Sequence, residues 1–397
     1  MFHNVDAPAM RRINKATVLQ FIRDHRTTSR IDIAQVTGLN KATVSYIVDE
    51  LITEQWVQEI GYGSSSGGRK PILLRFNASG AYAIGMDVQV NSIKTMVCNT
   101  RNEPVYRSQR SLSGEQRGAL QEHLMTAIVE ETRAAVAATP SSPHGLVGIG
   151  LALPGLVDVQ TGSVHYLPGL PVRDWPIRDQ LAQAVGIPVF CENDANCGAW
   201  GELTRSASHS DHLAFVNAGT GIGVGLIIAG QLYRGRQGLA GEFGHTTIMP
   251  LGQACPCGNY GCWEEYASER SLRRYIIEAG GDPSVLNEEQ GFVDQMLSEA
   301  QADNRAYIRA FNTLGQYLGI GIANITNALN PDRISLGGTL SQAATFILPE
   351  IERIMNYRTL TQNRNIPVSI ASANSVAIGA AALVIAQTLF DTRPTIP

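Results

Sequence analysis

The chain has 397 residues, more than one hydrophobic core normally serves, so we expect two or three domains. Hydrophobic residues make up 44% and charged residues 17%, which excludes a largely disordered chain, and the longest apolar run, 376–386, is too short to span a bilayer. The net charge of -4 conceals an asymmetry, because residues 1–77 hold 10 Lys and Arg against 7 Asp and Glu, a net of +3 that leaves -7 for the rest. The first twelve residues lack the apolar stretch of a secretory signal, so we expect a cytoplasmic protein.

Three helices are predicted at the start of the chain. Residues 13–25 place their apolar side chains on one helical stripe, which indicates a first helix. Ser29, with Asp32 three positions later, is typical of a helix start, and Gly38 is typical of the end of this short second helix. Asn40 can cap a third helix, whose apolar residues share one face: Val44, Ile47, Val48 and Leu51. This order is typical of a helix-turn-helix DNA-binding domain.

Two predicted strands, 56–60 and 71–76, follow these helices and are joined by a loop rich in glycine and serine. Its glycines allow close approach to DNA, and its two basic residues suit phosphate or the minor groove. We therefore predict a winged helix-turn-helix domain over residues 1–77. The predicted DNA-binding residues lie on the second helix, the third helix and the wing: Ser29, Asn40, Lys41, Ala42, Thr43, Ser45, Tyr46, Arg69 and Lys70. The alternative is a three-helix module for protein contacts, in which the loop is only a linker.

Beyond Asn77, apolar runs alternate with helical stretches, which predicts an α/β architecture. The predicted strands are 81–88, 93–98, 147–153, 189–191, 213–216 and 224–229, and the clearest helix is 120–138. A glycine-rich turn at 219–223 can present backbone N–H groups to a phosphate, although such turns also join strands that bind nothing.

One short segment concentrates metal-ligating residues. His245 is followed by Cys255, Cys257 and Cys262, with two glycines between the last two cysteines that let the chain curl. Three thiolates and one imidazole make a closed tetrahedral zinc site, so we expect one structural Zn²⁺ per chain with no position left for water. The alternative is a set of reduced, buried cysteines without a metal.

The cysteine pattern, together with Gly241-Glu242-Phe243-Gly244-His245 and Glu192-Asn193-Asp194-Ala195-Asn196, resembles the ROK family of repressors, open reading frames and kinases. The resemblance covers almost the whole chain, and within the family the wing looks most like that of the xylose-responsive repressors. It implies an actin-like, two-lobed body of the sugar kinase/Hsp70 type over residues 78–397. Lobe 1 would take about 78–194 and the helix at about 373–390, and lobe 2 about 195–372 with the zinc site.

The resemblance also implies a sugar site between the lobes, built from residues that can hydrogen-bond hydroxyl groups: Gly155, Asn193, Asp194, Glu242, His245 and Glu264. Carboxylates, an amide and an imidazole supply the donors and acceptors that a pyranose needs. His245 would bind zinc through one ring nitrogen and offer the other to the sugar. Alternatively, Asn193 and Asp194 only cap a helix, and Glu242 and Glu264 are solvated loop carboxylates.

Asp194 matches the catalytic base of the family's kinases, but the ATP hairpin of those kinases is altered here. Their Asp-x-Gly-x-Thr or Ser pattern corresponds to Asp87-Val88-Gln89-Val90-Asn91, in which Gln89 replaces the glycine and Asn91 the hydroxyl residue. We therefore expect poor nucleotide binding, no catalytic residues and no kinase activity.

The sequence thus predicts a repressor of sugar-catabolic genes that acts as a homodimer or a dimer of dimers. Its heads would read a palindromic operator, and a free sugar, xylose or glucose, would release it. The alternatives are a sugar kinase with an attached DNA-binding domain and a repressor that a partner protein controls.

Overall fold

A computed structural model describes residues 7–64, 70–89, 91–112, 120–168, 172–205, 211–282 and 291–390. Three hydrophobic cores follow one another along the chain, within residues 18–81, 82–191 and 214–355. We call the parts built on them the head, lobe 1 and lobe 2. None of the helices in the described ranges is both long enough and apolar enough to cross a bilayer.

The head consists of three helices and a three-stranded antiparallel sheet, the elements of a winged helix-turn-helix domain. They are α1 (Ala7–Asp24), β1 (Thr28–Ser29), α2 (Arg30–Thr37), α3 (Lys41–Thr53), β2 (Val57–Tyr62) and β3 (Ile72–Phe76). The strand order is β1-β3-β2. Residues 65–69, which make up half of the predicted wing loop, lie outside the described part of the chain.

Local side-chain contacts fix the ends of α2 and α3. The hydroxyl of Ser29 and the carboxylate of Asp32 form a capping box, and Gly38 ends α2 in the left-handed conformation. The Asn40 side chain accepts the N–H of Thr43 at 2.8 Å, which caps α3. The boundary of α1 differs from the prediction, because the helix begins at Ala7 and not at residue 13.

Lobe 1 is a five-stranded sheet with two helices on one face, the helix Ser375–Leu389 on the other face, and a small hairpin beside it. Its elements are β4 (Tyr82–Val88), β5 (Ser92–Asn99), β6 (Pro104–Ser111), α4 (Leu120–Ala138), β7 (Leu146–Leu153), β8 (Leu156–Asp158), β9 (Ser163–Tyr166), α5 (Ile177–Val185) and β10 (Val189–Asn193). The strand order is β10-β7-β4-β5-β6. β4, β5 and β6 form an antiparallel meander, and β7 and β10 run parallel to β4.

Lobe 2 follows after a linking helix, α6 (Asp194–Arg205). Its elements are β11 (Leu213–Ala218), β12 (Ile222–Ile228), β13 (Gln231–Leu232), α7 (Glu264–Ala267), α8 (Glu269–Glu278), α9 (Phe292–Gln301), α10 (Arg305–Leu329), β14 (Arg333–Gly337), α11 (Ala344–Arg358) and β15 (Val368–Ile370). The sheet order is β13-β12-β11-β14-β15, with a meander followed by two parallel strands.

The two lobes are joined by crossing helices. α6 follows the last strand of lobe 1 and packs on β11 and β12 of lobe 2, whereas α12 (Ser375–Leu389) follows the last strand of lobe 2 and packs on β4 and β7 of lobe 1. At the crossing, a Cβ on Gly379 would lie 1.8 Å from the carbonyl oxygen of Cys197, so only glycine fits. The cleft between the lobes lies beside this crossing.

The head sits on lobe 1 and on the end of α12. The Trp56 ring stacks on the His144 ring with 3.8 Å between centroids. The Arg23 guanidinium lies 4.9 Å from the ring centre of Phe390, and Leu389 and Phe390 pack against the head core. The C-terminal end of α12 therefore connects the lobes to the head.

Candidate functional site

A polar cleft lies where strands of both lobes end. β4 ends next to Asp87 and Gln89, β10 leads into Asp194, and β11 of lobe 2 carries Asn217 near its end. In open α/β sheets, ligands bind outside the carboxyl ends of the strands, because neighbouring strand ends diverge there and leave a crevice.

Asp194 is at the centre of a buried hydrogen-bond network. Its side chain accepts from the side-chain amides of Asn217 at 2.9 Å and Gln89 at 3.3 Å, and from the backbone N–H of Ala195 at 2.8 Å. The same Gln89 nitrogen donates to Asp87 at 2.8 Å. Gln89 therefore occupies the space between the carboxyl groups of Asp87 and Asp194, while Asn217 connects Asp194 to lobe 2.

The carboxyl groups of this network have altered acidities. Burial, and to a smaller extent the charge of Asp87, raises the pKa of Asp194 to about 7. Burial also raises the pKa of Asp87, against the hydrogen bond from Gln89. Asp194 can therefore accept or donate a hydrogen bond near neutral pH, which suits a hydroxyl partner.

Asn193 has a clear structural role. Its side-chain oxygen accepts the backbone N–H groups of Ala195 at 2.9 Å and Asn196 at 3.2 Å, which caps α6. Its side-chain nitrogen donates to the carbonyl of Gly155 at 3.1 Å. The helix-capping interpretation is thus correct for Asn193, and the same side chain also lies on the wall of the cleft.

Three of the predicted sugar-binding residues lie together around one cavity: Gly155, Asn193 and Glu242. The other residues that line it are Val157, Asn196, Gly223, Val224, Gly238, Leu239, Ala240 and Gly241. The walls therefore come from both lobes. The remaining predicted residues, Asp194, His245 and Glu264, lie outside this lining.

His245 and Glu264 belong instead to the cysteine cluster. The Nδ1 atom of His245 lies 3.7 Å from the sulfur of Cys255, and the sulfurs of Cys257 and Cys262 are 3.7 Å apart. All four ligand atoms lie within 4.8 Å of one another. A tetrahedral ion with metal–sulfur bonds of about 2.3 Å spaces its ligands about 3.8 Å apart, so these residues can hold a metal ion.

Glu264, at the start of α7, contacts two members of the cluster. One of its oxygens lies 3.4 Å from Nδ1 of His245 and 3.2 Å from the sulfur of Cys255. On the other side of the ring, Nε2 of His245 lies 3.9 Å from a carboxylate oxygen of Glu242. The two ring nitrogens thus face different surroundings, one the cysteines and the other the segment that lines the cavity.

The turn of the cluster is fixed by a glycine. Gly261 has a φ of 73°, and a Cβ there would lie 1.8 Å from the carbonyl oxygen of Met249. Bridges between Thr247 and Cys262 and between Ala254 and Tyr260 hold the two arms together. The chain therefore turns back sharply enough for the three sulfurs to meet.

The N-terminal part of α3 forms the second candidate site. Asn40, Lys41, Ala42 and Tyr46 are exposed, whereas Thr43 and Ser45 are partly buried. The Tyr46 hydroxyl accepts from Arg11 of α1 at 2.9 Å, which orients that ring. The opposite face of α3 is buried in the head core, as the apolar spacing predicts.

The other predicted DNA-binding residues are placed differently. Ser29 is only 3% exposed and its hydroxyl is engaged with Asp32, so it is not available on the surface. Ser29 therefore serves as the N-cap of α2 and does not lie on the exposed surface of the head. Lys70 is exposed at the end of the wing loop, and Arg69 lies outside the described residues.

Sequence analysis missed the partners that complete the cleft. Asn217 and Gln89 reach the carboxyl group of Asp194, although Gln89 lies 105 residues away in the chain. A signal for Asn217 exists, because it occupies in the first strand of lobe 2 the place that Asp87 occupies in lobe 1. That correspondence becomes visible only when the two sheets are compared.

The comparisons with known proteins cover both the head and the body. The sequence profile of the ROK family matches residues 83–387. A putative xylose repressor from Caldicellulosiruptor sp. (strain Rt8B.4) is 37% identical over 391 residues, which is 96% of this chain and 97% of that protein.

Two solved structures are similar. A ROK family transcriptional regulator, described as a homolog of the E. coli MLC protein, has a TM-score of 0.79 at 26% identity and covers 97% of this chain and 98% of its own. A ROK family glucokinase from Streptomyces griseus, in complex with glucose and AMPPNP, has a TM-score of 0.64 at 29% identity and covers 76% of this chain and 98% of its own. The predicted two-lobed fold is confirmed by these likenesses.

Proposed function

Because the chain belongs to the ROK family, we propose that it is a transcriptional repressor that binds operator DNA through its head and releases it when a free sugar binds between the lobes. The observation that carries the proposal is the union in one chain of an exposed α3 N-terminus with a polar cleft lined by both lobes. The putative xylose repressor that matches nearly the whole chain favours xylose as the sugar, with glucose as the second candidate.

Recognition of DNA follows from the geometry of α3. Its N-terminal residues Lys41, Ala42 and Thr43 would contact base edges in the major groove, and Lys70 would contact phosphate. A homodimer presents two such helices, so half-sites about one helical turn apart are expected in a palindromic operator.

Release requires that sugar favour a second arrangement of the lobes. To shift almost all molecules from the DNA-binding arrangement to the released one, sugar must bind the released arrangement more tightly by about 5.5 kcal/mol in total, which two bound sugars could share. The C-terminal end of α12 contacts the head while the rest of the helix lies between the lobes, so a change in the cleft has a direct path to the head.

The cysteine cluster is proposed to hold one structural Zn²⁺ per chain. Three sulfurs and one imidazole suit zinc better than magnesium or calcium, which prefer oxygen ligands. Its role would be to fix the segment between His245 and Cys262, and with it the histidine ring beside Glu242.

The altered hairpin of lobe 1 argues against phosphoryl transfer. Gln89 stands where the kinases have glycine, and its amide already donates to Asp87 and Asp194. A phosphate that approached this hairpin would meet a side chain in place of free backbone N–H groups, and two acidic groups behind it.

A sugar kinase is the second candidate, because a buried Asp194 with a pKa of about 7 is suited to general base catalysis. Coupled assays of ATP consumption with hexoses and pentoses decide between the two. Turnover that Asp194→Asn abolishes would favour the kinase.

Fluorescence anisotropy on fragments from sugar-catabolic operons tests the repressor. Tight binding that D-xylose or D-glucose reverses is expected, and Lys41→Ala should weaken it about tenfold or more. Arg353→Ala, a change of an exposed arginine in lobe 2, is the matched control and should leave binding unchanged. Specific binding that no sugar reverses would instead favour control by a partner protein, and absence of specific binding would refute the proposal.

A further inference from the structure

One segment of lobe 2 supplies five of the residues that line the cavity. We call residues 234–242, which follow β13, the roof loop. Its residues Gly238 to Glu242 line the cavity, and Gly155, Val157 and Asn193 of lobe 1 lie among the lining residues on the other side. The N–H of Ala240 donates to the carbonyl of Arg234 at 3.1 Å, so the roof loop is closed on itself.

The first residue of the roof loop is anchored in lobe 1. Nε of Arg234 lies 2.7 Å from Oε2 of Glu192, the residue of β10 before Asn193. The Glu192 side chain is 8% exposed and that of Arg234 is 29% exposed. This ion pair therefore crosses the cleft out of most solvent, where a charge-assisted hydrogen bond is stronger than at the surface.

The second oxygen of Glu192 continues the connection to the opposite wall. It accepts the backbone N–H of Asn193 at 3.1 Å and the side-chain amide of Asn196 at 2.9 Å. Asn193 and Asn196 both line the cavity, and Asn193 in turn donates to the carbonyl of Gly155 at 3.1 Å. One carboxylate thus connects the roof loop to the polar wall beneath it.

We propose that Arg234 and Glu192 are a positioning pair for the sugar, which holds the roof loop and the Asn193 wall at the spacing that a bound sugar requires. The inference rests on the proposed sugar effector and deepens it, because it names the contact that sets the affinity of the cleft. Binding sites held in advance by ion pairs of this kind lose less free energy when the ligand binds, since their walls are already ordered. Neither residue needs to touch the sugar.

Calorimetric titration of the full-length chain with D-xylose, and in a second arm with D-glucose, tests the pair. Arg234→Met removes the charge but keeps an unbranched side chain, and it should raise the Kd for sugar about 30-fold or more. Arg234→Lys retains a cation and should recover part of the affinity. Arg353→Met, which breaks the exposed pair with Glu350 in α11, is the matched control and should change nothing.

The double variant Arg234→Met with Glu192→Gln distinguishes a positioning role of the pair from a purely structural role. The neutral amide no longer leaves a buried charge without its partner, so the melting temperature should recover towards that of the wild type while the sugar affinity stays low. Operator binding without sugar should be unchanged in every variant.

Sugar affinity that follows the melting temperature in all variants overturns the positioning role, as does wild-type affinity in Arg234→Met. Both of these results leave the repressor proposal intact. A wild-type chain that binds no sugar overturns both proposals together.

Discussion

The two lobes have the same strand order but use their first hairpins differently. In each lobe a three-stranded meander is followed by two parallel strands. The hairpin after the first strand reads Asp87-Val88-Gln89-Val90-Asn91 in lobe 1 and Asn217-Ala218-Gly219-Thr220-Gly221 in lobe 2. Lobe 2 keeps glycines where a backbone could approach a ligand, whereas lobe 1 has a side chain that fills the space.

The comparison shows that a shared backbone topology does not fix the chemistry of the cleft. Gln89 donates to Asp87 and Asp194, so the lobe 1 hairpin is occupied by the protein itself. In lobe 2, a Cβ on Gly221 would lie 3.2 Å from Glu264, which also contacts the cysteine cluster. The space at the lobe 1 hairpin is thus filled by the Gln89 amide, whereas the lobe 2 hairpin lies against a candidate metal centre.

The largest expected effect concerns the cysteine cluster. Within the described residues, candidate metal-binding groups occur in lobe 2 and not in lobe 1. Cys262→Ser should abolish metal binding and lower the free energy of unfolding by roughly 5 kcal/mol, because a structural metal contributes directly to folding. Metal analysis should find about one zinc per wild-type chain. Hydrogen exchange should speed up in β12 and α7 but not in β5.

Cys191→Ala is the control for this prediction, because Cys191 is a buried cysteine of lobe 1 outside the cluster. It should retain the metal and lose little stability. A wild-type chain that is metal-free and equally stable would contradict the assignment of zinc.

The second expected effect concerns the acidity of Asp194. Because its pKa in the folded chain is raised to about 7, the folded chain retains a proton that the unfolded chain has lost, and stability falls as the pH rises towards 7. The asparagine of the Asp194→Asn variant cannot titrate. When the pH is raised from 5 to 8, the stability of Asp194→Asn relative to the wild type should therefore increase by on the order of 3 kcal/mol. Urea unfolding at both pH values measures this difference.

Asp179→Asn provides the comparison, since the Asp179 side chain is 70% exposed on α5. Its stability should follow the wild type across the same pH range. An Asp194→Asn variant with the same pH dependence as the wild type would show that this carboxyl group titrates normally.

The smallest effect tests the difference between the hairpins directly. Gln89→Gly with Asn91→Thr restores the pattern of the kinase hairpin and removes two hydrogen bonds to buried carboxyl groups, at a cost of about 1–2 kcal/mol. Titration with AMPPNP should show binding to the double variant and none to the wild type. Asn91→Thr alone keeps Gln89 and should not bind, and equal binding by the wild type would remove the distinction between the hairpins.

Sequence reasoning succeeded where the signal was local. The caps of α2 and α3 lie within three residues of the helices they start, so Ser29, Asp32 and Asn40 could be read directly. α4 was predicted with its observed bounds, because its apolar spacing continues from Leu120 to Ala138. The four ligands of the cluster also lie close together in the sequence, between His245 and Cys262.

It failed where a contact joins distant segments. β1 has two residues and exists only because Thr28 and Ser29 pair with β3, more than forty positions away. The contact of Gln89 with Asp194 and that of Arg234 with Glu192 also depend on how the strands of two lobes come together. No pattern of spacing contains that information.

The contact between the head and the end of α12 determines when the head can be fully attached during synthesis. Residues 18–81, which contain the core of the head, are synthesised before either lobe. Leu389 and Phe390, which pack against that core, are synthesised after both lobes. A nascent chain can therefore fold its head early but can complete the attachment of the head only after both lobes are made. A chain truncated before Leu389 would keep the contact of Trp56 with His144 and would lose the packing of Leu389 and Phe390 on the head core.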